Sequence, residues 1–242
     1  MRLAIMQPYL FPYVGHFSLI AAADEWVVFD ITQYTPRSWM NRNRILHPSR
    51  GWKWVTVPLA NGSIHIRTEQ AEILDPASAL TSILAQLGHY RRAPYYEPVC
   101  DLVRDAFTGD RSLVRLNVRA LAAVCRYVGL PFRYRVCSDL ALDMPVGLGP
   151  GEWAPQICAR LNASAYLNPI GGQHLFDPAS FAERSIALEF LEASPFTYST
   201  GSFGFEPGMS VLDALMWNPP EAVLAAIRRY AIHPPTAFRA AA

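Results

Sequence analysis

The stretch from Met1 to Ile20, MRLAIMQPYLFPYVGHFSLI, constrains the fold of this chain most. Arg2 to Met6 is a short apolar run suited to a buried strand. Gln7-Pro8 ends it, because proline donates no backbone hydrogen bond and restricts the residue before it. A second apolar run, Phe17 to Ala23, has helical character. Between the two lie Pro8 and Pro12, the aromatics Tyr9, Phe11 and Tyr13, then Gly15 and His16. The order is strand, aromatic loop, helix. In an open α/β sheet the space beyond a strand's carboxyl end is where ligands bind, since the next helix offers free backbone N–H groups there. Gln7, Tyr13 and His16 are expected to face it.

The rest of the chain alternates in the same way. Asp24 to Thr32 and Trp52 to Leu59 read as strands, separated by a loop from Gln33 to Gly51 that holds four arginines and no acid. Ile64 to Ile73 could add an edge strand. Ala77 to Leu87, Tyr96 to Phe107 and Arg111 to Tyr127 carry apolar residues at three- and four-residue spacing, with Gly109 and Gly129 as stops. Strands follow at 132–136, 165–168 and 186–191, with helices at 153–161, 178–183, 211–216 and from Pro220 to about Tyr230. The tail from His233 reads as disordered. This pattern predicts a single α/β domain over 1–242 with a mainly parallel, Rossmann-like sheet and a helical insertion at about 76–128.

Apolar residues make up 51% of the 242, enough for a large core, and the net charge is +1. That balance gives no general attraction to nucleic acid or an anionic membrane, so any anion site must be local. No apolar run approaches the roughly 18 residues of a membrane span, and the N-terminal run has no cleavage site, so a cytoplasmic protein is expected. Cys100, Cys125, Cys137 and Cys158 form no CxxC pair, which points to reduced thiols.

Three constellations carry chemistry. Asn41-Arg42-Asn43-Arg44, beside Trp39, offers fork-shaped donors for phosphate or carboxylate and carboxamides for sugar hydroxyls, or else is a solvated loop. Asn168-Pro169-Ile170-Gly171-Gly172 ends a strand, where two glycines let backbone N–H groups form a nest for an oxyanion, or simply make a tight turn. Asp30 could orient His16 or hold a ribose or amine. No zinc-ligand set occurs in the sequence, so no metal site is expected. Cys158 is a thiolate nucleophile or a small core residue. Ser210 is expected to cap a helix, with Asp213 completing the pair.

Tyr13-Val14-Gly15-His16 resembles the second half of the HxGH signature of nucleotidyl transferases, with Tyr13 in place of the first histidine. The run Gln7 to Phe17, with Phe29-Asp30, Asn41 to Arg44 and Asn168 to Gly172, resembles the WbqC-like family of bacteria from Arg2 to about Asn218. Resemblance to that family implies a setting in gene clusters for O-antigen, other surface polysaccharides and some secondary metabolites.

These readings predict one pocket lined by Gln7, Tyr13, His16, Asp30, Arg42, Arg44, Gly171 and Gly172. The expected activity is an acyl- or aminoacyl-transferase that forms an amide or ester on an amino sugar or small amine. His16 would serve as base and the two glycines as oxyanion donors. The donor would be a thioester of coenzyme A or of an acyl carrier protein, with no tightly bound cofactor. A nucleotidyl transferase or ligase using ATP, and a non-catalytic module binding carbohydrate or a carrier protein, are the alternatives.

Overall fold

In the computed structural model, which describes residues 1–235, the strand β1 (Arg2–Met6) lies inside a six-stranded sheet. Its side chains alternate between two apolar layers, as the period of a strand requires. Ala4 joins one cluster, and Leu3 and Ile5 the other. Burial of Leu3 and of Ile5 contributes about 1.5–3 kcal/mol each.

The chain leaves β1 through α1 (Val14–Ala22) and returns as β2 (Glu25–Val28), parallel to β1. Next comes an antiparallel hairpin, β3 (Arg42–His47) and β4 (Gly51–Thr56), which forms its own two-stranded sheet. This corrects two expectations. The segment 33–51 is not all loop, and the strand near Trp52 does not join the parallel sheet. Nor does Ile64 to Ile73 form an edge strand: it holds a 3₁₀ turn at Thr68–Gln70 and isolated bridges.

Three helices fill the middle of the chain, α2 (Pro76–Leu87), α3 (Tyr96–Ala106) and α4 (Leu113–Val128). Asp75 caps α2, accepting from the backbone of Ala77 and Ser78, and Ser112 caps α4, which stops at Gly129 with φ +74°. Their apolar faces share a cluster with Ala4, Phe17, Trp26 and Val28, so this helical layer packs on the α1 face of the sheet.

β5 (Tyr134–Val136) pairs with β2, and α5 (Trp153–Arg160) leads to β6 (Ala165–Pro169), parallel to β1 on its other side. α6 (Pro178–Ala182) leads to β7 (Ala187–Ala193). Ile157 of α5 and Phe181 of α6 pack with Leu3, Ile5 and Val27 on the face opposite α1. After α7 (Val211–Trp217) and α8 (Pro220–Ile227), Tyr230–His233 forms β8, antiparallel to β7. The last helix is therefore shorter than expected and His233 is in a strand. The expected disorder beyond 235 lies outside the described residues.

The sheet order is β5-β2-β1-β6-β7-β8, Rossmann-like and parallel except at β8. Because α1 covers one face and α5 and α6 the other, the winding reverses between β1 and β6. A crevice opens beyond the carboxyl ends of the strands at such a point.

Candidate functional site

Pro8 to Tyr13, just past β1, is a loop whose carbonyls need donors, and two of its residues have no N–H to return. Three buried polar side chains supply them. Asn117 of α4 donates its Nδ2 to the carbonyls of Pro8 and Met40, both at 2.8 Å. Asn43 of β3 donates to Leu10 at 2.8 Å and Phe11 at 2.9 Å, and the Ser210 hydroxyl donates to Phe11 at 2.7 Å. Phe11 has φ +41°, a conformation that costs a non-glycine residue about 1–3 kcal/mol and persists only where its surroundings impose it.

Two cavities flank this loop and share Tyr9. The first, of about 340 Å³, lies beyond β1 and β6 and is lined by Gln7, Tyr9, Phe29, Trp153, Asn168 and Gly172 among others, with no charged side chain. Asn168 is fixed there, its Oδ1 accepting from the Tyr166 hydroxyl at 3.0 Å and its Nδ2 donating to Pro169 at 2.9 Å. A Cβ on Gly172 would come within 2.4 Å of that Nδ2, so this glycine makes room for Asn168. Gly171 and Gly172 sit in a 3₁₀ helix, Ile170–Leu175, and neither has a positive φ. The expected αR–αL nest is not formed, although both residues line the cavity.

The second cavity, of about 330 Å³, is lined by Tyr9, Pro12, Tyr13, Trp39, Asn43, Arg44 and Gly208. The Arg44 guanidinium lies 5.4 Å from the Trp39 ring and 5.2 Å from Trp52, and its Nη2 donates to the Gly208 carbonyl at 3.1 Å. It forms no ion pair among the described residues, so its charge is held by aromatic faces. Arg42 stacks on Trp54 at 4.1 Å and lines neither cavity. Asn41 donates to Val57 at 3.2 Å, also away from both. Tyr13 is 44% exposed and precedes α1. A Cβ on Gly15 would lie 2.5 Å from the Tyr13 ring, so Gly15 is the residue that lets this ring lie against the helix start.

The three expected catalytic residues are elsewhere. His16 is 2% exposed, its ring 4.9 Å from Trp26, 5.5 Å from Tyr9 and 6.4 Å from Phe17. Burial pulls its pKa to about 3, and its Nε2 has no hydrogen-bond partner. Burial keeps the ring neutral at pH 7, and it backs Tyr9 where a base facing the pocket was expected. Cys158 is fully buried beside Ile157 and Tyr166, and burial pushes its thiol up to about 12, so it is a core residue and no thiolate. Asp30 accepts from the Ser138 backbone at 3.0 Å and hydroxyl at 2.6 Å, lines a third cavity and makes no bond to His16. The single expected pocket is thus three cavities, two of them adjoining.

Asp213 does not complete a cap either. It accepts from Tyr90 at 2.6 Å and Tyr198 at 2.5 Å, while Ser210 alone caps α7. Asn117 is a site residue that reading by motif left unassigned, and Ser210, read only as a helix cap, also donates to the loop. An asparagine inside the apolar pattern of α4 is the signal that could have found Asn117.

A model of the WbqC-like protein family matches residues 7–225, and so takes in the loop, the cavity at Arg44, all of the other but Ile5 and Met6, and the β3–β4 hairpin. The chain belongs to the WbqC-like protein family. This WbqC-like chain is 31% identical over 218 residues, 88% of its length, to "Uncharacterized protein Rv1507c" of Mycobacterium tuberculosis (strain ATCC 25618 / H37Rv), of which the match covers 92%. No solved structure matches it. Among the described residues no helix is long and apolar enough to cross a membrane, and no three His, Cys, Asp or Glu side chains are grouped to hold a metal ion.

Proposed function

We propose that this WbqC-like chain is an acyl- or aminoacyl-transferase that forms an amide or ester on an amino sugar or small amine. It would work in the cytoplasm, in polysaccharide or secondary-metabolite synthesis. The observation that supports it is the pair of cavities that share Tyr9, one uncharged and aromatic, the other holding Arg44. A two-substrate reaction needs two such positions side by side. The anionic part of a coenzyme A or carrier-protein thioester suits Arg44, and a sugar suits the aromatic and carboxamide walls around Gln7 and Asn168.

In this reading the amine nitrogen attacks the thioester carbonyl, the C–N bond forms, the C–S bond breaks, and the amine's proton ends on the departing thiol. Burial holds the Tyr9 hydroxyl above the usual phenol range, so it stays protonated at neutral pH and can donate to the oxyanion. No group poised to act as a base lines either cavity, so rate comes from positioning and oxyanion stabilisation. That same feature favours the second reading, a non-catalytic module for carbohydrate or a carrier protein. Nucleotidyl transfer loses its motif residue to the core with His16.

Incubation with coenzyme A thioesters, charged carrier protein and ATP, each with amino sugars, separates the readings. Thiol release supports transfer. Diphosphate release supports an ATP-using enzyme, and sugar binding without turnover supports the module.

A further inference from the structure

The third cavity shares no lining residue with the two beside Tyr9 and has a volume of about 440 Å³, within the range of small-molecule sites. Its charges are sorted by element. Asp30, at the end of β2, together with Glu69 and Asp139, supplies three carboxylates. Arg115 and Arg119, one turn apart on α4, supply two guanidiniums.

No ion pair crosses the cavity. Glu69 pairs with Arg67 at 3.6 Å, outside it, and the arginines approach Asp110, also outside it, at 3.8 and 3.9 Å. Asp30 is 1% exposed, and Glu69 adds like charge to its burial, so its carboxyl is pushed up. Arg67 meets Glu69 from outside the cavity, and among the described residues no ion pair reaches Asp30 or Asp139. On the other wall, the first turn of α4 holds no acid, Asp110 just before it accepts from the Ser112 backbone at 3.0 Å, and a helix N-terminus favours negative charge. Ser112 and Ser138 add hydroxyls.

The geometry points to a binding site for a free α-amino acid in this cavity, its ammonium toward Asp30, Glu69 and Asp139 and its carboxylate toward Arg115, Arg119 and the start of α4. A zwitterion addresses both walls at once, whereas a simple amine or acid addresses one alone.

Titration calorimetry of the full chain with each standard L-amino acid, and with ethylamine and acetate as single-charge probes, tests it. At least one amino acid is expected to bind about tenfold or more tightly than either probe. Glu69→Gln and Arg115→Gln, both at partly exposed side chains, are each expected to weaken that binding about tenfold with an unchanged melting midpoint. If no amino acid binds, or if both variants bind as tightly as the parent, the assignment is wrong. Binding alone is read, at a cavity separate from those beside Tyr9, so the transfer reading and this site can fail independently.

Discussion

The Nδ2 of Asn43 lies 2.9 Å from the carbonyl oxygen of Phe11, the one residue of the Pro8–Tyr13 loop with positive φ. The same amide serves Leu10, and its Oδ1 accepts from the Arg44 backbone at 2.7 Å. One buried side chain therefore ties the loop after β1 to the strand that carries Arg44.

Asn43→Ala takes the donor from the buried Leu10 carbonyl and leaves Phe11 with Ser210 alone, and an unsatisfied buried group costs about 1–3 kcal/mol. Urea denaturation is expected to show a loss of about 2 kcal/mol or more. A variant within about 0.5 kcal/mol of the parent would show that the loop holds its shape without this tie.

The β1-loop-α1 unit was legible because Gln7-Pro8 ends a strand by a rule that tertiary packing does not override. β3 was not legible. Arg42 and Arg44 read as pocket-lining residues of a loop, yet they belong to a strand and their side chains stack on Trp54, Trp39 and Trp52, a pairing that no period within 33–51 encodes. His16 misled for a related reason. Its place at a strand-to-helix junction suggested a site, but the Trp26 ring that closes over it, with Tyr9 and Phe17, comes from β2.

The His16 ring is held neutral, with a folded pKa of about 3 against an ordinary 6.5. Its contribution is fully present above 6.5 and is lost as pH falls toward 3, because the unfolded state takes a proton that the folded state refuses. The slope is about 1.4 kcal/mol per pH unit. His16→Leu is expected to shrink the stability difference between pH 7 and pH 4 by on the order of 3 kcal/mol. An unchanged pH profile would mean that the ring is not held neutral.

Asp213 has the opposite sign. Its folded pKa, raised by burial to about 6 from 3.8, makes the protonated form the stabilising one, so its contribution is present below 3.8 and lost as pH rises through 6. Asp213→Asn, which keeps an acceptor for Tyr90 or Tyr198, is expected to remove a decline on the order of 3 kcal/mol between pH 4 and pH 8. Chemical denaturation at several pH values reads it, and a variant with the parent's slope would contradict it.

Cys158→Ala is expected to leave any transfer rate within about twofold of the parent while lowering stability by about 1 kcal/mol through a small cavity. The native thiol, buried and protonated, is expected to resist alkylation. Loss of turnover in a folded Cys158→Ala protein would move the chemistry to that sulfur.

The division of labour between the cavities beside Tyr9 is tested most directly by thiol release from coenzyme A and carrier-protein thioesters with amino-sugar acceptors, compared among the parent, Arg44→Ala and Gln7→Ala. The parent should release one thiol per acylated amine. Arg44→Ala should raise the donor KM about tenfold or more with little change for the acceptor, and Gln7→Ala should do the reverse. No thiol from the parent with any donor, or equal shifts of both KM values in both variants, would contradict a two-substrate site organised around Tyr9.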